Sequence, residues 1–174
     1  MELKDSKMKE EVCQNNKYDN TLLPIIIRDS REKQGHGYKF IKSASCSGME
    51  VAALPFGDYA LKGFPDLIIV ERKQDIDEIC SNIGVNRERF ERELQKIVDA
   101  NVKFRYIVVE DYWSSIFRPN KFSKMHPNAI FESIISLEIR YRINFIFAGT
   151  PEMAHRIVRS LLMKAYKYRI EGIV

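Results

Sequence analysis

Gly57-Asp58-Tyr59-Ala60-Leu61-Lys62-Gly63-Phe64-Pro65-Asp66-Leu67-Ile68-Ile69-Val70-Glu71-Arg72-Lys73 reads as a β-hairpin. Lys62-Gly63-Phe64-Pro65 supplies the turn, with glycine to permit positive φ and proline to stop the first strand. Leu67 to Val70 is a short continuous apolar run, the pattern of a strand buried on both faces. It runs straight into Glu71-Arg72-Lys73. Charges at the end of a buried strand need pairing or a metal, because leaving them alone in a core costs several kcal/mol. Asp58 sits across the turn, so a sheet can bring the Asp58 and Glu71 carboxylates together. Side by side they repel unless a cation lies between them. A hard divalent ion with oxygen ligands, Mg²⁺ or Mn²⁺, is the natural candidate.

Outward from the hairpin the chain is mixed α/β. Upstream, Leu22-Leu23-Pro24-Ile25-Ile26-Ile27 is an apolar, β-branched strand ending in Arg28-Asp29-Ser30-Arg31-Glu32, a second buried-looking strand that terminates in charge. Strand ends of α/β sheets are where ligands sit. Residues 33–37 form a loop, and Glu50 to Pro55 reads as an edge strand stopped by Pro55. Downstream, residues 74–80 begin a short helix with acids in its first turn. Asn86 to Ala100 is an amphipathic helix with Phe90, Leu94, Ile97 and Val98 on one stripe, and Arg87, Arg89, Arg92 and Lys96 off it. Phe104 to Val109 is a strand closed by Glu110 and Asp111, and residues 112–125 form a loop. A helix from His126-Pro127, a strand over Ile143–Ala148 and a helix over Pro151–Tyr168, capped by Thr150, complete the chain. The expected organisation is a polar N-terminal arm over residues 1–20 and one domain over 21–174.

At 174 residues with 45% hydrophobic residues the chain can bury a sizeable core, which excludes a mostly disordered protein. No apolar run is long enough to span a membrane, and Met1 to Lys7 lacks the apolar stretch of a secretion signal. Cys13, Cys46 and Cys80 show no CxxC spacing, which points to reduced thiols and away from a zinc site. From Asp111 onward ten Lys/Arg face five Asp/Glu (net +5), while the first 110 residues carry 18 against 19 (net −1). A positive half beside a carboxylate-bearing half suits a polyanionic substrate and a metal, and equally a solvated helical surface.

Gly57-Asp58, twelve intervening residues, then Glu71-Arg72-Lys73 with Asp77 after three more reads GDx₁₂ERKx₃D. This resembles the signature of the XPF-type structure-specific endonucleases, a branch of the PD-(D/E)xK nuclease superfamily. Asp29-Ser30-Arg31-Glu32 resembles that family's upstream DxRE element. Arg89-Phe90 with Glu93-Leu94, the strand Tyr106 to Glu110 and the C-terminal helices fit as well, so the resemblance covers about Pro24 to Tyr168. It implies a restriction-endonuclease-like fold, a mixed central sheet flanked by helices, and Mg²⁺- or Mn²⁺-dependent hydrolysis of branched, flap or non-duplex DNA. It also implies roles in repair or recombination, in the nucleoid-bearing cytoplasm or the nucleus, and a homodimer through the helices over Asn128–Arg140 and Pro151–Tyr168. Family members usually carry a C-terminal tandem helix-hairpin-helix domain that grips DNA. No such domain lies within residues 1–174, and an accessory DNA-binding protein is one expected source of that grip.

In this reading Asp58 and Glu71 are metal ligands and Asp29 a further one. By the period of two along a strand, Lys73 points to the same side as Glu71. It orients or deprotonates the attacking water, or stabilises the transition state; these alternatives stay open. Arg72 and Arg31 contact phosphate or buttress the site, and Glu32 holds Arg31 or binds metal through water. Arg87, Arg89, Arg92 and Lys96 follow the phosphate backbone or, as an equal alternative, form a solvated helix face. Asp77 caps the following helix or pairs with Arg72. For Arg31, Glu32, Arg72 and Asp77 a purely structural ion pair is an equal alternative. A catalytically silent DNA-binding or scaffold module, and a resolvase or RNase of the same fold, are the competing functions.

Overall fold

A computed structural model describes residues 23–32, 37–118 and 125–174. The expected arm over residues 1–20 and parts of the loops at 33–37 and 112–125 lie outside them. Six strands form one sheet: β1 (Ile25–Asp29), β2 (Gly48–Ala52), β3 (Tyr59–Leu61), β4 (Ile68–Lys73), β5 (Phe104–Val109) and β6 (Asn144–Phe147). Their order is β2-β1-β3-β4-β5-β6. β3 runs antiparallel to both neighbours, while β1–β2, β4–β5 and β5–β6 are parallel. The mixed sheet expected from the sequence is therefore present, with the Glu50 region as an edge strand that starts two residues earlier, at Gly48.

Four helices cover the sheet: α1 (Ile76–Ile83), α2 (Arg87–Asp99), α3 (Pro127–Tyr141) and α4 (Pro151–Ile170). The first three share one core with Ala60, Ile69, Ile107, Val109 and Phe145, and α4 packs on the other face against Ile26, Tyr59, Ile68, Val70 and Val108. Period-two alternation along β4 divides it between these cores, which is why Leu67 to Val70 is apolar without interruption. Apolar stripes at Phe90/Leu94/Ile97 and Ala154/Val158/Leu162/Ala165 place the helices. A 3₁₀ turn over Trp113–Phe117 falls in the stretch read as loop. Trp113 is 37% exposed and stacks on Phe147 at 4.1 Å between centroids.

Gly57 sets the approach of β3 to β4. Its φ is +66°, and a Cβ there would lie 2.4 Å from Ile69 Cγ1 and 2.7 Å from its Cδ1. Only glycine fits without shifting the buried Ile69 and, with it, the neighbouring Asp58. Gly57→Ala should lower the unfolding free energy by about 2–4 kcal/mol, strain and overpacking together, as read from urea unfolding. A loss below about 0.5 kcal/mol, the ordinary surface range, would contradict this packing.

Candidate active site

The β1–β3 register pairs Arg28 with Tyr59, and the β3–β4 register pairs Tyr59 with Val70. Beyond those pairs Asp29 ends β1, Asp58 immediately precedes β3 and Glu71 follows Val70 on β4, so the three acids lie side by side in a row at one end of three neighbouring strands. Backbone bonds hold the row, Asp29 N–H donating to the Asp58 carbonyl at 2.8 Å and Asp58 N–H to the Val70 carbonyl at 2.9 Å. All three side chains line one cavity together with Phe90 and Leu94 of α2. Residues opposite one another in a sheet have Cβ atoms about 5 Å apart, so a row of like charges destabilises unless each is answered.

Each acid meets a different answer. Asp29, 4% exposed, accepts from Arg31 Nε at 2.8 Å and from Leu54 N–H at 3.2 Å, so both its oxygens are engaged. Glu71 accepts from Lys73 Nζ at 2.8 Å. Asp58 receives only a backbone donor, Arg72 N–H at 2.7 Å. Burial against the sheet, and after it the Glu71 charge, push the Asp58 carboxyl up to about 8; the Arg72 N–H and Lys73 pull the other way without prevailing. Among the described residues, Asp58 is thus the member of the row with no side-chain cation in hydrogen-bond contact.

Lys73, 7% exposed, is held by two carboxylates, Glu71 and Glu78 Oε1 at 2.9 Å. Burial works against its ammonium, but those two acids hold it above the ordinary lysine range, so it stays charged. A cavity of about 340 Å³ opens over the row, lined by Asp29, Asp58, Glu71 and Lys73, by Arg31 and Arg89 at its edge, and by Phe56, Phe90 and Leu94. Asn82, 7% exposed, also lines it, and its Nδ2 has no hydrogen-bond partner among the described residues.

The remaining expected site residues are elsewhere. Arg72 alternates to the opposite face, where it donates to Glu110 through Nε and Nη2 at 2.7 and 2.8 Å and to Glu32 at 3.1 Å, and stacks over Tyr38 at 5.5 Å. Its guanidinium does not enter the cavity; the fixed side chain instead steadies the backbone N–H that holds Asp58. Glu32, expected on Arg31 or on metal, is taken by Arg72. Arg87 pairs with Glu91 at 2.8 Å and is not among the cavity residues. Asp77 is not the cap of α1: Asp75 accepts from Glu78 N–H at 2.9 Å in that role. Sequence reasoning missed Asn82 and Glu78 on α1: Asn82 lines the cavity and Glu78 reaches Lys73 only once the helix packs. Glu110 was visible as an acid closing a strand, but not its partner.

No group of three His, Cys, Asp or Glu among the described residues converges to hold a metal ion. Asp29's oxygens are committed to Arg31 and Leu54. Asp58 and Glu71 still form an all-oxygen pair of adjacent, partly desolvated carboxylates, which fits a hard ion that keeps several waters and needs only one or two carboxylates.

A mixed sheet between helices, with acids gathered where β1, β3 and β4 meet, is the restriction-endonuclease-like architecture. The chain belongs to the ERCC4 domain family, whose model matches residues 28–161. Among solved structures it is similar to XPF from Aeropyrum pernix, with a TM-score of 0.59 and 21% identity over 82% of this chain and 61% of that one. The same protein in complex with DNA matches with a TM-score of 0.59 and 20% identity, over 83% and 66%. The chain thus spans less than two thirds of these relatives, and at such identities the likeness is one of fold. None of the curated proteins compared with it matches.

The shifted carboxyl has a measurable consequence. Between its unfolded value near 3.8 and about 8, Asp58 is protonated in the fold and ionised in the unfolded chain. The folded state then binds the extra proton, so this stabilisation is full below the lower value and is lost as pH rises through the upper one. Without divalent ions, Tm should therefore fall across this window more steeply for the wild-type protein than for Asp58→Asn. Identical Tm-against-pH curves for the two proteins would contradict the buried, unanswered carboxyl.

Proposed function

We propose that this protein is a metal-dependent endonuclease that hydrolyses phosphodiester bonds in branched, flap or otherwise non-duplex DNA. The observation that carries the reading is the meeting of Asp58, Glu71 and Lys73 in one cavity at the strand ends. Membership of the ERCC4 domain family supports it, as does the fold likeness to an XPF solved with DNA. Asp58 and Glu71 would hold Mg²⁺ or Mn²⁺, which when bound supplies a Lewis acid and an activated water. Asp29 contributes by fixing Arg31 at the cavity edge, where Arg31 and Arg89 would receive the flanking phosphates. Lys73, kept charged by two carboxylates, serves as a hydrogen-bond donor to the negative charge that grows on the phosphate oxygens, and not as a base. Arg72 acts through Asp58, by positioning it.

Incubation with Mn²⁺ and flap, splayed, junction and single-stranded DNA, beside the same shapes in RNA, is the direct test. Cleavage should fall by about 10²–10³-fold in Lys73→Met, the scale of losing one preorganised donor, and disappear in an Asp58→Asn, Glu71→Gln double variant. Tight DNA binding with no turnover by the wild type would favour the silent scaffold module. Turnover confined to RNA, or to four-way junctions, would favour the sister activities, and cleavage unchanged in the double variant would belong to a contaminant.

The same reading includes a homodimer through α3 and α4. Support comes from β6, which ends the sheet as an open edge, and from the exposed Phe131 and Ile139 of α3 and Met153 of α4. An accessory DNA-binding protein would add grip, and the site of action would be wherever DNA is handled in repair or recombination, the nucleoid-bearing cytoplasm or the nucleus. Size-exclusion chromatography with light scattering should give twice the 20.4 kDa chain mass; a strictly monomeric species would remove the dimer.

A further inference from the structure

The ammonium of Lys73 is shared between two acids from different elements. Glu71 lies two residues back on β4, and Glu78 reaches it from the first turn of α1. The Lys73 side chain is 9% exposed, that of Glu78 42% and that of Glu71 25%. Glu78 is itself fixed at both ends: its N–H donates to the capping Asp75, and its Oε2 accepts from Gln74 N–H at 3.0 Å. It belongs to none of the sequence elements that point to the site, and it is not among the residues lining the cavity.

Under the reading above, Glu71 is asked to serve two cations at once, the Lys73 ammonium and a divalent ion. A nearly buried ammonium left with a single carboxylate cannot release it without becoming an uncompensated charge, which costs several kcal/mol. We propose that Glu78 is a positioning residue that carries the Lys73 ammonium, so that Glu71 is released to take the divalent ion while Lys73 stays aimed into the cavity. This rests on the metal-dependent reading and names the residue outside the cavity on which that reading depends. Carboxylates that orient a site from behind its ligands typically contribute 10–100-fold to metal affinity or activity.

The proposal separates contact from charge. Glu78→Asp keeps the charge but shortens the reach, and Glu78→Gln keeps the length but removes the charge. Because the α1 cap is Asp75 and Glu78 is partly exposed, neither change should prevent folding, which thermal melts will establish. Mn²⁺ binding to the full chain without DNA, followed by electron paramagnetic resonance, should weaken roughly tenfold in both variants. On a flap substrate kcat should fall by a similar factor, with KM unchanged within about twofold, since the loss is of an interaction used in the transition state. In a Lys73→Met background, where the ammonium is gone, Glu78→Gln should leave Mn²⁺ affinity unchanged.

Wild-type Mn²⁺ affinity and kcat in both variants would overturn this inference alone. So would an equal loss on Glu78→Gln with and without Lys73, because the effect would then be the field of Glu78 and not its hold on the ammonium. A wild-type protein that neither binds Mn²⁺ nor cleaves DNA overturns the nuclease reading, and this inference with it.

Discussion

Asp29, Asp58 and Glu71 lie side by side in a row at one end of three neighbouring strands, and the local structure around them follows from the repulsion this creates. Three carboxylates at cross-strand spacing destabilise a sheet unless each is separately answered. The fold answers the outer two with cationic side chains, Arg31 on Asp29 and Lys73 on Glu71, and Asp29 also accepts from the Leu54 backbone N–H. The central Asp58 is left with one backbone donor and a raised affinity for a proton. A site built this way holds an unmet demand for positive charge at its middle, and that demand, more than any individual residue, gives the cavity its chemistry.

The Glu71-Arg72-Lys73 triplet is divided by strand alternation into two different jobs. Glu71 and Lys73 look into the cavity beside α1 and α2, whereas Arg72 is driven through the sheet to the α4 face. There it joins Glu110 at the end of β5 to Glu32, which follows β1, with Tyr38 donating to Glu110 as well. Glu110's side chain is 2% exposed, so its charge is tolerable only because Arg72 meets it with two hydrogen bonds. One residue thus ties the ends of β1, β4 and β5 together on one face while its N–H holds Asp58 on the other. Apart from that backbone N–H, the cluster supports the geometry of the site from the opposite face.

The cavity also divides polar from apolar function. Its floor comes from the α2 stripe that builds the core, Phe90 and Leu94, and Lys73 lies 5.8 Å over the Phe90 ring. A low-dielectric wall beside charged groups strengthens every electrostatic interaction at the strand ends. It also explains why burial disfavours the charged form of both groups, raising the Asp58 carboxyl and working against the Lys73 ammonium. Core packing and site chemistry are continuous here, which is why substitutions at Gly57 or Ile69 would reach the carboxylates through the backbone.

Much of this was legible in the chain itself. An unbroken apolar run ending in Glu71-Arg72-Lys73, a turn at Gly63 and Asp58 beyond it determined the hairpin, the buried central strand and the meeting of Asp58 with Glu71. Period-two alternation likewise determined that Lys73 accompanies Glu71, because these are local properties of a strand and its turn. What the tertiary structure alone decided is which charge answers which. Asp29 is closed off by the Leu54 N–H, Arg72 crosses to Glu110 and Glu32, and Glu78 and Asn82 come to the site from a helix with no motif to mark them. Pairing between elements depends on how helices dock on the two faces and how strands are ordered across the sheet. Charges forty residues apart meet or miss through that packing, and no local spacing in the sequence encodes it.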